Sequence, residues 1–457
     1  MDTFRINEKD NVCVDLKSGH KIALKDISKG EDIIKYGFPI GVATDNIELG
    51  AKVHTENMKT KLDDILDYEY RPDFKELTPT PAFEIDAFVR KNGEIGIRNE
   101  IWIIPTVGCV NSIGKAFAEK TDAIYFSHPY GCSQLGDDNK VTQLVLKGLI
   151  KHPNAGGVLV LGLGCENNNI EEMKKVLGDY DAERIRFLNV QDVENEMEEG
   201  IKILKELKGI VSKDKREKVS ANRLKIGLKC GGSDGFSGIT ANAVVGKVTD
   251  KLCSMGATAV LTEVPEMFGA EKLLFERCVN EKVFKKSVSL INNFKEYFKN
   301  YGQPVSENPS PGNKEGGITT LEEKSLGCVQ KGGTAPVVDV LDYGDVLAKQ
   351  GLNLLNGPGN DIVSTTNLSA CGCHLILFTT GRGTPLGNAV PTIKIASNDE
   401  LAKKKPHWID FNSYGFDTEA KAGELLEVIK EIANGKEAKN EIYGCREIAI
   451  FKDGVTL

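Results

Sequence analysis

The chain has 457 residues, more than one hydrophobic core usually holds, so we expect two or three domains. Its formal net charge of -8 argues against a nucleic-acid-binding protein, because neutralising phosphates requires clustered Lys and Arg. No apolar run approaches the roughly 20 residues that cross a bilayer, and the N-terminus has no secretory signal pattern, so we expect a cytoplasmic protein that is not bound to a membrane.

Glycine-cysteine loops are the most informative feature of the sequence. The chain contains 11 cysteines, and an odd number spread along a long chain favours reduced thiols over a disulfide framework. Six segments place cysteine beside glycine, most of them with small polar residues: Gly108-Cys109-Val110-Asn111, Gly131-Cys132-Ser133-Gln134, Gly164-Cys165-Glu166-Asn167, Cys230-Gly231-Gly232-Ser233-Asp234, Gly327-Cys328 and Cys371-Gly372-Cys373-His374. Because glycines allow close approach and these side chains supply ligands and hydrogen bonds, we expect the loops to converge on one active site.

The first segment is predicted to be a small β-rich domain at residues 1–70. The stretches Asn11–Leu16 and Lys21–Leu24 alternate apolar and polar residues, which is typical of half-buried strands. The sequence then becomes charged, and its prolines oppose a continuous helix or a central strand. We interpret residues 71–82 as a linker.

Beyond the linker, strands and helices are predicted to alternate. The runs Ile101–Val107, Ala123–Ser127 and Gly157–Leu163 lack the alternation of a half-exposed sheet, so we expect strands that are buried on both faces. Stretches of helical length occur at Asn139–Lys151 and Ile170–Val176. This order predicts a parallel sheet, with the glycine-cysteine loops at the carboxyl ends of the strands, where ligands gather.

A polar bridge at Ser212–Arg223 divides this region into two halves, at residues 83–215 and 223–457. The second half restarts with the strand-like run Lys225–Lys229 and repeats a related layout. The sequence leaves open whether the halves share one sheet. The predicted fold class is α/β, with a small β-rich N-terminal domain followed by a larger region of mainly parallel sheets.

Ordered motifs span nearly the whole chain. They are Gly19-His20-Lys21-Ile22-Ala23-Leu24, Val53-His54-Thr55-Glu56-Asn57, Arg98-Asn99-Glu100, Ser127-His128-Pro129-Tyr130-Gly131-Cys132, Gly162-Leu163-Gly164-Cys165-Glu166-Asn167, Cys230-Gly231-Gly232-Ser233-Asp234, Thr262-Glu263-Val264-Pro265-Glu266, Asn308-Pro309-Ser310-Pro311-Gly312-Asn313-Lys314 and Gly381-Arg382-Gly383-Thr384-Pro385. This set resembles the altronate and galactarate dehydratases, including their small N-terminal domain of the SAF or β-clip type. One departure is Glu56, which stands where the family pattern has a second histidine.

The resemblance implies a hydro-lyase that removes water from a sugar acid. It implies D-altronate as substrate, 2-dehydro-3-deoxy-D-gluconate as product, and a divalent metal, in the first place Fe2+ and otherwise Mn2+. The alternative enzymes act on galactarate or, as sulfo-lyases, on sulfolactate, and the alternative outside catalysis is a protein that binds a metal or a sugar acid. The partner is a small molecule in each case, and the chain could form a homo-oligomer.

Removing the proton beside a carboxylate requires a base and a cation that spreads the developing charge. Imidazole titrates near neutral pH, so at least one of His20 and His54, which lie in family motifs, is assigned as a proton carrier or metal ligand at a domain interface. Glu266 is a candidate base because it precedes two apolar residues and burial would raise its pKa. Lys314 completes the catalytic candidates. Each could instead be an ordinary surface or core residue.

Binding an anionic sugar acid requires cations and hydrogen-bond donors. Arg382 stands between two glycines, and a guanidinium can hold a carboxylate through two hydrogen bonds. The substrate-binding candidates are Lys21, Arg98, Asn111, Asn313, Arg382 and Thr384.

Metal ligands are expected in the glycine-cysteine loops, since thiolate and imidazole suit Fe2+ better than Mg2+. The cysteines are too widely spaced for a local zinc motif, and each taken alone is more often a packing residue. Their shared position at strand ends favours a ligand role. The metal-ligand candidates are Cys132, Cys165, Cys230, His128 and Glu166.

Overall fold

The computed structural model describes residues 2–62 and 67–457. Met1 and residues 63–66, which fall within the predicted first domain at 1–70, lie outside the described residues. A small β-rich part precedes a larger α/β part, which confirms the predicted fold class. In the part of the chain that is described, no helix combines the length and apolar character needed to pass through a membrane.

Short antiparallel strands in two sheets form the N-terminal part. Their bounds are Thr3–Phe4 (β1), Val12–Asp15 (β2), Lys21–Ala23 (β3), Asp32–Lys35 (β4), Phe38–Ala43 (β5), Lys52–Val53 (β6) and Met58–Lys59 (β7). One sheet has the order β1-β2-β3-β6 and the other β4-β5-β7. Residues of β3 and β4 alternate between buried and half-buried, which agrees with the alternation in the sequence.

Residues 67–83 contain no helix or strand, and the predicted linker at 71–82 lies inside this segment. The segment is held along the C-terminal part by hydrogen bonds. The Asp73 backbone N donates to Glu276 O at 2.8 Å, and the Tyr70 hydroxyl donates to Cys278 O at 3.0 Å. The domain limits themselves stay predictions.

The middle part contains a parallel four-stranded sheet. The described strands of the middle part as a whole are Glu84–Val89 (β8), Ile95–Gly96 (β9), Glu100–Pro105 (β10), Ile124–Tyr125 (β11), Ala155–Gly162 (β12), Ile185–Asn189 (β13) and Glu217–Ser220 (β14). The helices are Asn111–Glu119 (α1), Gly136–Ile150 (α2), Ile170–Leu177 (α3) and Glu196–Val211 (α4). The parallel sheet has the order β11-β10-β12-β13, and nearly every residue of β10 and β12 is buried, as their unbroken apolar runs predict.

The C-terminal part contains a separate parallel sheet with the order β17-β18-β16-β15-β19-β20-β21. Its strands are Lys225–Cys230 (β15), Thr258–Leu261 (β16), Val337–Leu341 (β17), Gly351–Leu355 (β18), Leu375–Thr380 (β19), Thr392–Ala396 (β20) and Phe411–Asn412 (β21). The helices are Ala241–Ser254 (α5), Glu271–Phe275 (α6), Glu281–Asn300 (α7), Pro311–Glu315 (α8), Leu321–Cys328 (α9), Asp361–Ala370 (α10), Asp399–Lys404 (α11), Thr418–Ala433 (α12) and Lys439–Ile442 (α13). The two halves therefore have a parallel sheet each.

The polar bridge at Ser212–Arg223 is more than a connection. It contains β14, which pairs antiparallel with β8, and β8 pairs in turn with β9 in a three-stranded sheet. Four of the six glycine-cysteine motifs follow strands of the parallel sheets, after β10, β11, β12 and β15, at the carboxyl ends where ligands gather. The other two do not: Gly327-Cys328 ends α9, and Cys371-Gly372-Cys373-His374 joins α10 to the start of β19.

Candidate active site

Helix α9 is the structural centre of the candidate site. All of its residues are buried, although three of the first four are charged. It begins at Thr320, whose hydroxyl accepts a hydrogen bond from the backbone N of Glu323. Buried charges require partners, and the partners of this helix come from three separate parts of the chain.

The N-terminal part docks on α9 through two lysines. Lys21 Nζ and Lys35 Nζ each lie 2.8 Å from one carboxylate oxygen of Glu323, and all three side chains are buried. Burial would raise the pKa of Glu323, but the two ammonium groups hold it at about 2. Burial and the charge of Lys35 lower the pKa of Lys21 to about 8, because one carboxylate cannot compensate two ammonium groups fully.

Beside this group lie the two motif histidines. The ring centres of His20 and His54 are 5.1 Å apart, and His54 Nδ1 lies 2.9 Å from Thr319 Oγ1. Burial lowers the pKa of both rings below the ordinary value of 6.5, with further lowering from Lys52 at His20 and from Lys21 at His54. His20 Nδ1 is buried and has no hydrogen-bond partner in the described residues. Two neutral imidazoles therefore lie where the N-terminal part meets the C-terminal part.

At the other end of α9 lies a second group, formed by Cys230, Glu266 and Cys328. Their ligand atoms all lie within 4.8 Å of one another, and all three side chains are buried. Cys328 Sγ donates to Glu266 Oε2 at 3.1 Å, and Lys324 Nζ lies 2.7 Å from Glu266 Oε1. In the described chain this is the one place where three such side chains come so close.

Charge in this second group is concentrated on the thiol of Cys230 and on Glu266. The neighbouring Cys328 thiol lowers the pKa of Cys230 to about 5 in spite of burial, with a further contribution from Lys331. Burial would raise the pKa of Glu266, but Lys324, Lys229 and Lys331 hold it at about 2. Both groups are therefore anionic at neutral pH, and thiolate and carboxylate are ligands that Fe2+ accepts.

Two cavities lie in this region and share Asp234 as a lining residue. A small cavity of about 10 Å³, enough for about one water molecule, is lined by Lys35, Ser233, Glu323 and Cys328, among other residues. A wider cleft of about 520 Å³ lies between the loop of Lys17 and the loops of the seven-stranded sheet.

Three family models match consecutive parts of the chain: the altronate/galactarate dehydratase SAF domain at residues 3–61, the second domain of D-galactarate dehydratase/altronate hydrolase at 87–212, and the C-terminal domain of D-galactarate/altronate dehydratase at 221–456. This chain belongs to the altronate/galactarate dehydratase family. The resemblance inferred from the sequence motifs is thereby confirmed.

Curated dehydratases match nearly the full chain. Altronate dehydratase of Escherichia coli K12 is 52% identical, over 97% of this chain and 93% of that protein. Altronate dehydratase of Bacillus subtilis 168 is also 52% identical, over the same shares of the two chains. Galactarate dehydratase (L-threo-forming) of E. coli K12 is 31% identical, over 92% of this chain and 86% of that protein. As a member of this dehydratase family the chain is an enzyme, a hydro-lyase, which sets the non-catalytic alternative aside.

Several of the residues predicted from family motifs lie around α9. His20, His54 and Lys21 form the interface with its first turn, and Glu266 and Cys230 lie at its last turn. Two more candidates, Arg382 and Lys314, lie elsewhere in the C-terminal part: Arg382 lines the wider cleft, and Lys314 is half-buried in α8. In the described residues Lys314 has no side-chain hydrogen bond or ion pair.

Arg98 was predicted to bind substrate, and the structure corrects this. All five of its N–H groups donate to protein acceptors, namely the Glu441 carboxylate and the backbone carbonyls of Ile97, Ile432 and Lys436. A guanidinium without a free donor cannot hold a substrate carboxylate, so Arg98 instead ties the middle part to the C-terminal part.

Four other substrate-binding candidates are also engaged by the protein. Lys21 donates to Gly317 O and Thr319 Oγ1 as well as to Glu323, Asn313 Nδ2 donates to Ser233 O, Asn111 Nδ2 donates to His128 O, and Thr384 Oγ1 accepts from Leu386 N. Lys21 uses all three ammonium protons in this way, so it positions the site and does not contact substrate directly.

The five predicted metal ligands do not form one group in the described residues. Cys132, Cys165, His128 and Glu166 follow strands of the four-stranded sheet, whereas Cys230 ends β15 in the other sheet. The expectation that the glycine-cysteine loops share one cation therefore stays a prediction, and its candidate ligands belong to the edges of two different sheets.

His128 and Glu166 are unsuited to a metal for a second reason, since their polar atoms are already used. His128 Nε2 lies 2.8 Å from Pro105 O, and its Nδ1 accepts from Tyr130 N at 3.2 Å. The Glu166 carboxylate accepts from the Thr106 hydroxyl and from two backbone N–H groups. Both side chains hold the loops of the middle sheet in place.

Sequence reasoning missed Glu323 and Lys324 and did not name Cys328 as a candidate ligand. The run of charges at the start of α9 is typical of an exposed helix face, which hides the fact that this helix is buried. The one signal was the Gly327-Cys328 pair, and it belongs to the end of a helix rather than to a loop after a strand.

Proposed function

We propose that this chain eliminates water from D-altronate and releases 2-dehydro-3-deoxy-D-gluconate. The observation that carries the proposal is the 52% identity to two altronate dehydratases over 97% of the chain, against 31% to galactarate dehydratase. We further propose that the protein is cytoplasmic, acts as a homo-oligomer, and takes no partner other than its small-molecule substrate.

The wider cleft is the proposed substrate site. Lys17, Arg382 and Lys404 line it and supply positive charge, while Asp399 and Glu400 stand on the same rim. Arg382 is the cation best suited to a carboxylate, because a guanidinium forms two parallel hydrogen bonds. Its present partner is Glu315 at 2.9 Å, and that ion pair is largely exposed, so the arginine is released at little energetic cost.

The histidine pair is proposed to move the protons of the elimination. A neutral imidazole accepts a proton, and the lowered pKa of both rings keeps them neutral at physiological pH. In the tautomer in which His54 Nδ1–H donates to Thr319 Oγ1, the ring is held in place and its other nitrogen is unprotonated, so that nitrogen serves as the base. His20, which lies 5.1 Å away, is placed to pass a proton to the departing hydroxyl.

A divalent metal fits the group of Cys230, Glu266 and Cys328. Two sulfurs and a carboxylate in one buried cluster are donors that favour Fe2+ over Mg2+, with Mn2+ as the alternative. When bound, such an ion withdraws electron density from a substrate carboxylate and makes the neighbouring C–H more acidic. Lys324 supports the group by holding Glu266 charged and in position.

The test is a substrate panel. Purified protein is incubated anaerobically with Fe2+ and either D-altronate, galactarate or sulfolactate, and the 2-keto acid and the released sulfite are measured. We expect 2-keto-3-deoxy acid from D-altronate alone. If galactarate is dehydrated, or sulfite is released from sulfolactate, with a higher kcat/KM than that measured for D-altronate, then that compound and not D-altronate is the substrate.

A further inference from the structure

Three exposed thiols follow three neighbouring strands of the four-stranded sheet. Cys109 comes after β10, Cys132 after β11 and Cys165 after β12, and β10 lies between the other two strands. Each of the three is exposed, whereas every other described cysteine is buried or half-buried. Unpaired cysteine is usually among the most buried residue types, so three exposed thiols at one sheet edge require an explanation.

Direct hydrogen bonds hold the three loops together. Gly108 N donates to Tyr130 O at 2.9 Å, which joins the first loop to the second. Asn168 N donates to Gly131 O at 3.0 Å and joins the third loop to the second. A Cβ on Gly131 would lie 1.9 Å from the carbonyl oxygen of Thr106, so this approach requires glycine. The thiols are therefore carried by one rigid platform.

Other donors on this platform are already used. The ring of His128 and the carboxylate of Glu166 bind backbone groups, as described above. What remains for a ligand is a set of three sulfurs, and two of them accept hydrogen bonds: Cys165 Sγ from Gln191 Nε2 at 3.6 Å, and Cys132 Sγ from Ser133 Oγ at 3.9 Å. Hydrogen bonds of this kind stabilise thiolates bound to iron and tune their potential.

In the described residues the three sulfurs do not form a ready-made site for a single ion. A tetrahedral ion with metal–sulfur bonds near 2.3 Å requires sulfurs about 3.8 Å apart. In the described residues these three sulfurs do not form a group within 4.8 Å. An iron–sulfur cluster is several ångströms wide and bridges thiols that stand farther apart.

We infer that Cys109, Cys132 and Cys165 bind a [4Fe–4S] cluster at the carboxyl edge of the middle sheet. Assembly from two Fe2+, two Fe3+ and four sulfide ions forms three bonds from iron to cysteine sulfur, breaks three S–H bonds and releases their protons to solvent, with no change in oxidation state. Three thiolates leave the fourth iron without a protein thiolate, and the exposure of the loops lets it take water or an oxygen ligand from solvent. This site is separate from the group of Cys230, Glu266 and Cys328, and it stands whether or not D-altronate is the substrate.

The test is anaerobic reconstitution of the full chain with iron and sulfide. After removal of unbound ions we expect about four iron and four sulfide ions per chain, together with the visible charge-transfer absorption of the cluster. The triple variant Cys109→Ser, Cys132→Ser, Cys165→Ser is expected to lose both ions and the absorption. The matched control is Cys445→Ser, a half-buried thiol elsewhere, which is expected to keep them.

Two results would overturn the inference. One is an unchanged iron and sulfide content in the triple variant, and the other is stoichiometric iron that binds without sulfide. If circular dichroism shows that the triple variant is unfolded, the three single variants decide. Each leaves two protein thiolates and should lose the cluster within a buffer exchange, and single variants that retain it as well as Cys445→Ser does would contradict the site.

Discussion

Replacing Glu323 by glutamine tests how the N-terminal part is held over the site. The substitution keeps the volume but removes the only carboxylate that Lys21 and Lys35 share in the described structure. The pKa of Glu323 is about 2 against an ordinary 4.5, and this difference corresponds to about 3 kcal/mol in favour of its charged form. Removing one partner of a buried ion pair typically costs about 3–5 kcal/mol, so we expect Glu323→Gln to lower the free energy of unfolding by about 3 kcal/mol.

Three quantities are measured on separate samples: the free energy of unfolding by urea denaturation, the rate of proteolytic cleavage in the segment at 67–83, and kcat/KM. The matched control is Glu31→Gln, which breaks the exposed pair between Glu31 and Lys25 and should cost less than about 1 kcal/mol. In the Glu323 variant, cleavage should become faster and kcat/KM should fall, because His20 and His54 lose their fixed position. A loss of stability no larger than that of Glu31→Gln would refute the reasoning.

The sign of the pH dependence adds a second check on the same variant. Without Glu323 the two lysines are buried with less compensation, so their pKa values in the folded protein fall below the 10.5 of the unfolded chain. The unfolded state then binds more protons, and the stability of the variant should recover as the pH rises towards 10.5. A deficit that is the same at every pH would point to lost packing instead of lost charge.

Four further outcomes are expected. His54→Ala should lower kcat by about a hundredfold or more, because it removes the proposed base. The control is His407→Ala, which changes an exposed histidine and should leave kcat unchanged. Equal kinetics of the two variants would exclude His54 from the mechanism. Charge reversal in Arg382→Glu should raise KM at least tenfold with a smaller effect on kcat, and an unchanged KM would exclude it as the carboxylate ligand. Cys328→Ser should weaken Fe2+ binding, measured by competition with a chelator, and retained affinity would exclude that donor set. Burial lowers the pKa of His128 from 6.5 to about 4, so the free energy of unfolding should decline by roughly 3 kcal/mol as the pH falls from above 6.5 towards 4. A His128→Gln variant should lack this part of the decline. An identical pH dependence of unfolding in the two proteins would contradict this expectation.

The sequence predicted those parts of the fold that depend on local pattern. Strands such as β12 carry unbroken apolar runs, and their burial on both faces follows from that composition. The alternation in β3 likewise predicted a half-buried strand of the small domain. What local pattern could not give was the number of sheets, because that depends on how far apart two similar halves lie in space.

The candidate site was predicted only in part, for a related reason. His20 and His54 stood in recognisable motifs, and the structure places their rings together. Cys230 and Cys328 are nearly a hundred residues apart, and their sulfurs come close because β15 and α9 end beside each other in the folded chain. Arg98 shows the opposite error, since an arginine in a family motif proved to be fully occupied by protein acceptors.

The buried helix α9 limits how this enzyme can be recombined with others. A chimera that takes its first sixty or so residues from a different protein would still need a carboxylate placed to receive the incoming lysines. It would also need that carboxylate, here Glu323, to keep its position relative to the Cys328 thiol five residues further along the helix, a separation of about 7.5 Å along the axis. The practical unit for transplanting the small domain is therefore that domain together with α9, even though more than 250 residues of sequence lie between them.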